Sequence, residues 1–375
     1  MDNLCHTFAG AVLVKAGLER YTPLAMPTLL IGANLPDIDI VTRLKGQVAY
    51  LQYHRGITHS IVGVIGLSLV LAAGVVVFDR MMRRRGSRSR EPARFSRLFV
   101  VSLIGVGSHP LLDFTNAYGV RPFLPWDDRW VYGDLAFVVD PWLWLILGGT
   151  AFMLTSQTRW RLVAWGIFGG LLTLIVVRAS IALSLQYREP MPFRWLWVLF
   201  LIAPIAARWY GFQRYGSRVA VGALLAVVVY WAGLSVAHHV ALTHVRLASQ
   251  TVIAGQPTSR HAALPRPATP LTWSAVFETP DAIYYGTASI GSAPGREWTL
   301  ERYPKQLDDP IVRRTLDTHA GAVMREFGRY LFAEVDRQAD GYSVVLRDAR
   351  FERSATSGFS VVTIPLDESQ QRGGQ

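Results

Sequence analysis

The sequence predicts a mostly α protein: a polytopic membrane helical bundle of about six spans plus an N-terminal helical hairpin, followed by a small C-terminal extracytoplasmic α+β domain. Three observations predict it. Hydrophobic residues fill 51% of the 375 positions and the mean hydropathy is +0.24, more apolar than an ordinary soluble chain. Apolar stretches close to the roughly 20 residues that a bilayer core demands recur between residues 57 and 239. Beyond residue 246 the pattern changes to a proline-rich stretch and then to period-two alternation.

The elements follow in order. His6–Leu18 and Thr22–Leu35 are apolar but shorter than a span, with Glu19-Arg20 as a turn between them. They predict a hairpin that dips into the membrane and returns both ends to one face. Ile57–Phe78, Leu98–Asn116, Leu135–Leu154, Leu162–Leu185 and Arg218–His239 read as spans; Trp195–Trp209 is shorter, with Pro204 inside it, and makes the sixth. Trp160, Trp195, Trp197 and Trp209 stand near span ends, as in an interfacial aromatic belt. Residues 1–245 therefore form a membrane-embedded domain. Residues 246–271, with Pro257, Pro265, Pro267 and Pro270, read as a linker, and 272–368 as the α+β domain. Within it Thr272–Glu278, Ala282–Ile290, Glu297–Tyr303, Leu331–Asp336, Ser343–Arg350 and Phe359–Ile364 alternate like strands. Asp309–Phe327 reads as a helix broken near His319–Gly321, and 369–375 as a disordered tail.

Charge sets the orientation. Residues 1–249 carry 24 Lys/Arg against 12 Asp/Glu, whereas 250–375 carry 14 against 15, so the net +11 belongs to the apolar part. Eight arginines lie between Arg80 and Arg97, which marks that loop as cytoplasmic. A nucleic-acid arm is the rival reading of this run, and no nucleic-acid partner is expected. Residues 155–161 and 209–218 then fall on the cytoplasmic side. Residues 117–134, 186–194 and the C-terminal domain fall on the other. Cys5 is the single cysteine, so no intrachain disulfide forms.

On this topology His6, Asp37, Asp39, His54, His59, His109 and Asp113 gather at the extracytoplasmic face. Imidazole and carboxylate are donors that zinc and manganese prefer, so one or two divalent ions are expected, Zn2+ or Mn2+. In Asp37-Ile38-Asp39 an extended backbone puts both carboxylates on one side; a turn or helix cap is the bland alternative. His109 and Asp113, at i,i+4, share a helix face, against a plain polar pair inside a bundle. His54 and His59 flank Arg55-Gly56, against two interfacial histidines. Together these residues predict a single cation cage.

Weaker candidates surround it. Asp140 is a ligand, an orienting group or a helix start. Arg55 offers a guanidinium fork for an anionic substrate, or a structural ion pair. Arg178 lies within a span, where snorkelling is the alternative. Ser60 and Ser108 read as hydrogen-bonding neighbours of the ligands rather than nucleophiles, and His238, His239 and His244 as interfacial histidines.

His6, Pro36-Asp37-Ile38-Asp39, His54-Arg55-Gly56-Ile57-Thr58-His59-Ser60 and Ser108-His109-Pro110-Leu111-Leu112-Asp113 resemble the YdjM-type family of bacterial inner-membrane metal-dependent hydrolases. Pro125-Trp126-Asp127-Asp128-Arg129 through Asp140-Pro141 extends the resemblance, which covers roughly residues 1–185. It implies a multi-pass protein of the bacterial inner membrane and a hydrolase. The order His, Asp, His, His-x-x-x-Asp is also similar to zinc phospholipase C and the related single-strand nucleases. That resemblance implies metal ligation by His6, Asp37 or Asp39, His59, His109 and Asp113. No second His-x-x-x-Glu/Asp follows Asp113, which favours one or two ions over three.

The expected function is hydrolysis of a phosphoester, of a lipid or lipid-linked substrate entering from the bilayer, by metal-activated water, with Arg55 and His54 as catalytic groups. A metal or proton transporter is the first rival, but it calls for ligands through the membrane depth. A structural metal that ties the hairpin to the bundle is the second.

Overall fold

Asp2 starts the first helix: its carboxylate accepts from the Leu4 and Cys5 amides at 3.0 and 3.1 Å, an N-cap for α1, Asn3–Lys15. The computed structural model describes residues 1–85, 91–187, 193–252, 257–291, 299–338, 341–354 and 357–367. The chain divides into two units: Met1–Pro36, Ile57–Leu234 and Pro267–Thr269 in the first, Asp37–Gly56, Ser235–Arg266 and Pro270–Gln375 in the second.

The first unit is helical. After α1 a 3-10 turn at Leu18–Arg20 leads to α2, Ala25–Gly32. α3, Gln47–Tyr53, belongs to the second unit; α4, Ile61–Arg84, and α5, Phe95–Phe114, return to the first. α6, Pro141–Leu143, passes through a π turn at Trp144–Gly148 into α7, Gly149–Thr155. α8, Arg159–Tyr187, α9, Phe193–Trp209, and α10, Ser217–Val252, follow.

Each expected span contains helix, but among the described residues four helices are long and apolar enough to cross a membrane: Ile61–Arg84, Phe95–Phe114, Arg159–Ala182 and Ser217–Gln250. The third expected span is cut short because Asp140 caps a helix that Pro141 opens, leaving 135–139 outside it. α10 overruns His239 because no Gly or Pro interrupts residues 240–252.

Small residues set the packing of the hairpin. A Cβ on Gly10 would lie 3.1 Å from the Leu29 carbonyl, and one on Gly32 would lie 3.2 Å from the Val106 nitrogen. One on Gly105 would lie 3.3 Å from the Leu29 oxygen. Backbones of α1, α2 and α5 thus approach as in small-residue membrane interfaces. Val14, Ala25, Leu29 and Val101 fill the space beside them. We expect Gly105→Leu to force α2 off α5 and to destabilise by about 1–3 kcal/mol, read as a lower thermal midpoint in detergent.

The second unit carries two sheets. β1, Arg260–Arg266, β2, Thr269–Glu278, β3, Ala282–Ser289, and β4, Glu301–Pro304, lie in that order; β5, Leu331–Gln338, β6, Gly341–Asp348, and β7, Val361–Asp367, make the other. β2 pairs antiparallel with β3 through Val276↔Tyr285, and β5 with β6 through Val335↔Val344. The expected helix is two: α11, Pro310–Asp317, and α12, His319–Phe327, broken at Thr318, whose hydroxyl caps α12. Ala241 and Val245 of α10 pack with buried Trp273 and Phe277.

One boundary is corrected. The segment read as a linker, 246–271, holds the end of α10, all of β1 and the start of β2. Its prolines sit before and at the end of β1 or in the turn and first residues of β2, while buried Ala262, Ala263 and Leu264 pair inside the strand. The expected tail, part of the arginine loop, most of 186–194 and the first residues of the strand at 297–303 lie outside the described residues.

Residues 37–56 join this unit through Gln47, whose amide donates to the carbonyls of Gly358, Phe359 and Val361 at 2.7, 2.9 and 2.7 Å.

Candidate metal centre

In the first unit, helical period brings two donors together. His109 and Asp113 stand one turn apart on α5, with Nε2 3.5 Å from Oδ2. α1 supplies His6, whose ring stacks on His109 at 3.6 Å between centroids and whose Nε2 lies 3.4 Å from Asp113 Oδ1. The 3-10 turn Ile57–His59, just before α4, supplies His59, Nε2 3.3 Å from Asp113 Oδ2. The Met1 amino group also donates to Asp113. All four side chains are buried.

The far sides of the rings decide which nitrogen points inward. His109 Nδ1 donates to the Ala33 carbonyl at 2.6 Å, so its Nε2 carries the lone pair. His59 Nδ1 meets the Thr58 hydroxyl at 3.0 Å. The three inward separations, 3.3–3.5 Å, exceed a charge-assisted hydrogen bond of about 2.7–2.9 Å. Two donors each about 2.0–2.1 Å from one tetrahedral ion stand roughly 3.3 Å apart. The spacing therefore fits the edges of a coordination shell, and three imidazoles with one carboxylate fit its chemistry.

Sequence reading missed Gly63. Ser60 caps α4: its hydroxyl accepts from the Gly63 amide at 3.1 Å and donates to the Ile57 carbonyl at 2.8 Å. A Cβ on Gly63 would lie 1.8 Å from that carbonyl. The turn that presents His59 folds back over this glycine. The signal was there as a Ser with a Gly three residues on, at the head of an apolar run.

The second unit holds Asp37, Asp39 and His54, each offering one ligand atom within 4.8 Å of the others. The extended backbone expected for Asp37-Ile38-Asp39 is not found: the three residues lie in a 3-10 run, Leu35–Lys45. With three residues per turn, that helix gives i and i+2 different faces. The group closes because His54 and Arg55 come to Asp39: His54 Nδ1 lies 2.8 Å from Oδ1, and the Arg55 amide donates to Oδ2 at 3.0 Å. Arg55 takes φ +56°, in the left-handed region, to make that turn. Tyr50 stacks on His54 at 4.5 Å. Burial holds His54 below the usual imidazole range, with the Asp39 bond opposing. The ring is then neutral at pH 7, the form that binds a metal or accepts a proton.

The remaining candidates have other partners. Asp140 caps α6 through the Trp142 and Leu143 amides at 2.8 and 3.3 Å and accepts from the Tyr230 hydroxyl at 2.9 Å. Ser108 donates to the Gly105 carbonyl at 2.7 Å, and Arg178 is exposed on α8. Residues 115–136 clamp the end of α5: the Gly133 amide donates to Phe114 O at 2.8 Å, and those of Leu135 and Ala136 to Thr115 O at 2.7 and 2.9 Å.

Apolar helices of spanning length together with buried His/carboxylate groups define a multi-pass membrane protein with a possible divalent-metal site. The chain belongs to the YdjM inner membrane protein family, whose model matches residues 1–215. It is similar to "Uncharacterized protein YfhP" of Bacillus subtilis (strain 168), at 32% identity over 155 residues, 39% of this chain and 43% of that one. The match thus spans less than half of the relative. No solved structure matches.

Proposed function

We propose that the protein is a membrane-bound metal-dependent hydrolase that cleaves a phosphoester of a lipid or lipid-linked substrate at the extracytoplasmic face. The observation that carries the reading is the set of three imidazole Nε2 atoms 3.3–3.5 Å from the Asp113 carboxylate. His6, His59, His109 and Asp113 hold one divalent ion, Zn2+ or Mn2+. Asp37, Asp39 and His54 hold a second. Bound there, such an ion acidifies a water toward neutral pH and polarises a phosphoryl oxygen. Asp39 orients the His54 ring for that ion. The Arg55 guanidinium neutralises charge that develops on the phosphoryl group.

The complete burial of the first cluster supports a second reading, in which that ion is structural and its shell closed. One experiment separates the two. Metal content of the purified full chain is measured beside turnover of a phosphodiester and of phospholipid vesicles, for wild type, Asp39→Ala and His54→Ala. The hydrolase reading expects two ions in wild type, one in each variant, and turnover lowered at least 100-fold. Metal without turnover in the wild type favours the structural reading; a wild type without bound metal rejects both.

A further inference from the structure

The first unit contains a cavity of about 560 Å³ that the metal clusters do not use. That volume lies within the roughly 300–1,000 Å³ of small-molecule sites. We infer that it holds one acyl chain of a membrane phospholipid, whose headgroup is then presented to the cluster around Asp113. The inference rests on the hydrolase reading for the role of the headgroup, but the cavity's occupant is read from its walls.

Those walls take hydrocarbon. Phe8, Trp144, Trp165, Phe168 and Trp197 line the cavity, and the indole N–H groups are spent elsewhere. Trp144 Nε1 donates to Asp2 at 2.9 Å, Trp165 Nε1 to the Thr155 hydroxyl at 2.9 Å and Trp197 Nε1 to the Thr173 hydroxyl at 3.1 Å. Thr173 in turn donates to the Gly169 carbonyl at 2.7 Å. A polar ligand would find these donors engaged.

The space exists because side chains are missing from α8. Gly166, Gly169 and Gly170 line it, and a Cβ added to any of them would meet nothing within 4 Å. Pro204, inside α9, lines it as well. Two further lining residues, Leu162 and Ile205, are 44% and 57% exposed. The cavity therefore opens onto the outer surface of a spanning helix, where Val163 and Ile167 are 61% and 62% exposed. In an inner membrane protein that surface is covered by lipid, so chains are the molecules at the entrance.

The inner wall includes α1, the helix that also carries His6. Phe8 stands on α1 two residues after His6. Trp144 bonds Asp2, the cap of that same helix. A phospholipid joins an apolar chain to a phosphodiester; a free fatty acid or an isoprenyl chain alone does not offer that bond.

Photolabelling tests the inference. The full chain is reconstituted in phosphatidylethanolamine/phosphatidylglycerol vesicles with a trace of phosphatidylcholine carrying an acyl-chain diazirine. After irradiation, labelled residues are mapped by mass spectrometry. Label is expected at Trp144 and Phe168 and falls at least tenfold in Gly166→Leu/Gly169→Leu, and independently in Gly170→Phe. Label at lipid-facing Val70 stays unchanged, and metal content matches wild type, which reports an intact fold. Undiminished label at Trp144 in both filled variants, no label there in wild type, or label from a free fatty-acid diazirine alone overturns the inference. Chain labelling in a wild type that hydrolyses nothing leaves the cavity's assignment standing and removes the hydrolase reading. Turnover unaltered in both filled variants does the reverse.

Discussion

Asp113→Ala is expected to strip the divalent ion from the first unit and to reduce the effect of chelator on the thermal midpoint. Three imidazole nitrogens and the Met1 amino group face this carboxylate. Removing it takes away both a ligand and the charge that lets a cation sit among buried rings. Loss of an orienting partner outside a metal's ligands already lowers affinity about 10–100-fold; loss of a ligand should exceed that. Wild-type protein should melt lower when EDTA is added, because a ligand bound at about 100 times its dissociation constant stabilises by about 2.7 kcal/mol. The variant should lose less of its thermal midpoint to EDTA than wild type does and carry one ion fewer by elemental analysis. Asp113→Asn, which keeps the shape and loses the charge, should behave in the same way. A full complement of metal in both variants would refute the assignment.

Gly63→Ala is expected to be as damaging to the same ion as removal of His59 itself. The new methyl would stand 1.8 Å from the Ile57 oxygen, 2.8 Å from its carbon and 3.0 Å from Thr58 Cα. These are backbone atoms, so no rotamer relieves the conflict. The turn at Ile57–His59 must lift from α4, and His59 leaves Asp113 with it. The overpacking should destabilise by about 3 kcal/mol. Gly66→Ala, three residues further on, is the control: a Cβ there meets nothing within 4 Å. It should leave metal content unchanged and stability within about 0.5 kcal/mol, the usual range for harmless surface changes. Equal behaviour of the two variants, by elemental analysis and thermal melts, would sink the argument.

The parts legible in the sequence are those governed by local period. Apolar runs marked every long helix, and the i,i+4 spacing placed His109 and Asp113 on one face as found. The break expected near His319–Gly321 falls at Thr318. Parts held by distant partners were not legible. Nothing local announces that the Ala33 carbonyl fixes the His109 ring, or that Gln47 reaches the carbonyls at 358, 359 and 361. The Asp37-Ile38-Asp39 spacing was read as extended because two carboxylates one residue apart share a side only there. The 3-10 backbone reaches a shared group by another route, the turn at Arg55. Prolines between 257 and 270 suggested a linker, since a strand is demoted by proline in its interior but tolerates it at its margins.

The Gln47 contacts bear on how the protein is divided for experiments. Family similarity ends at residue 215, yet the loop that bears Asp39, His54 and Arg55 is fastened to chain more than three hundred residues downstream. A shortened version trimmed to the region of shared ancestry would keep every proposed ligand and lose the anchor for Asp37, Asp39 and His54. Inheritance and mechanical support follow different borders in this molecule.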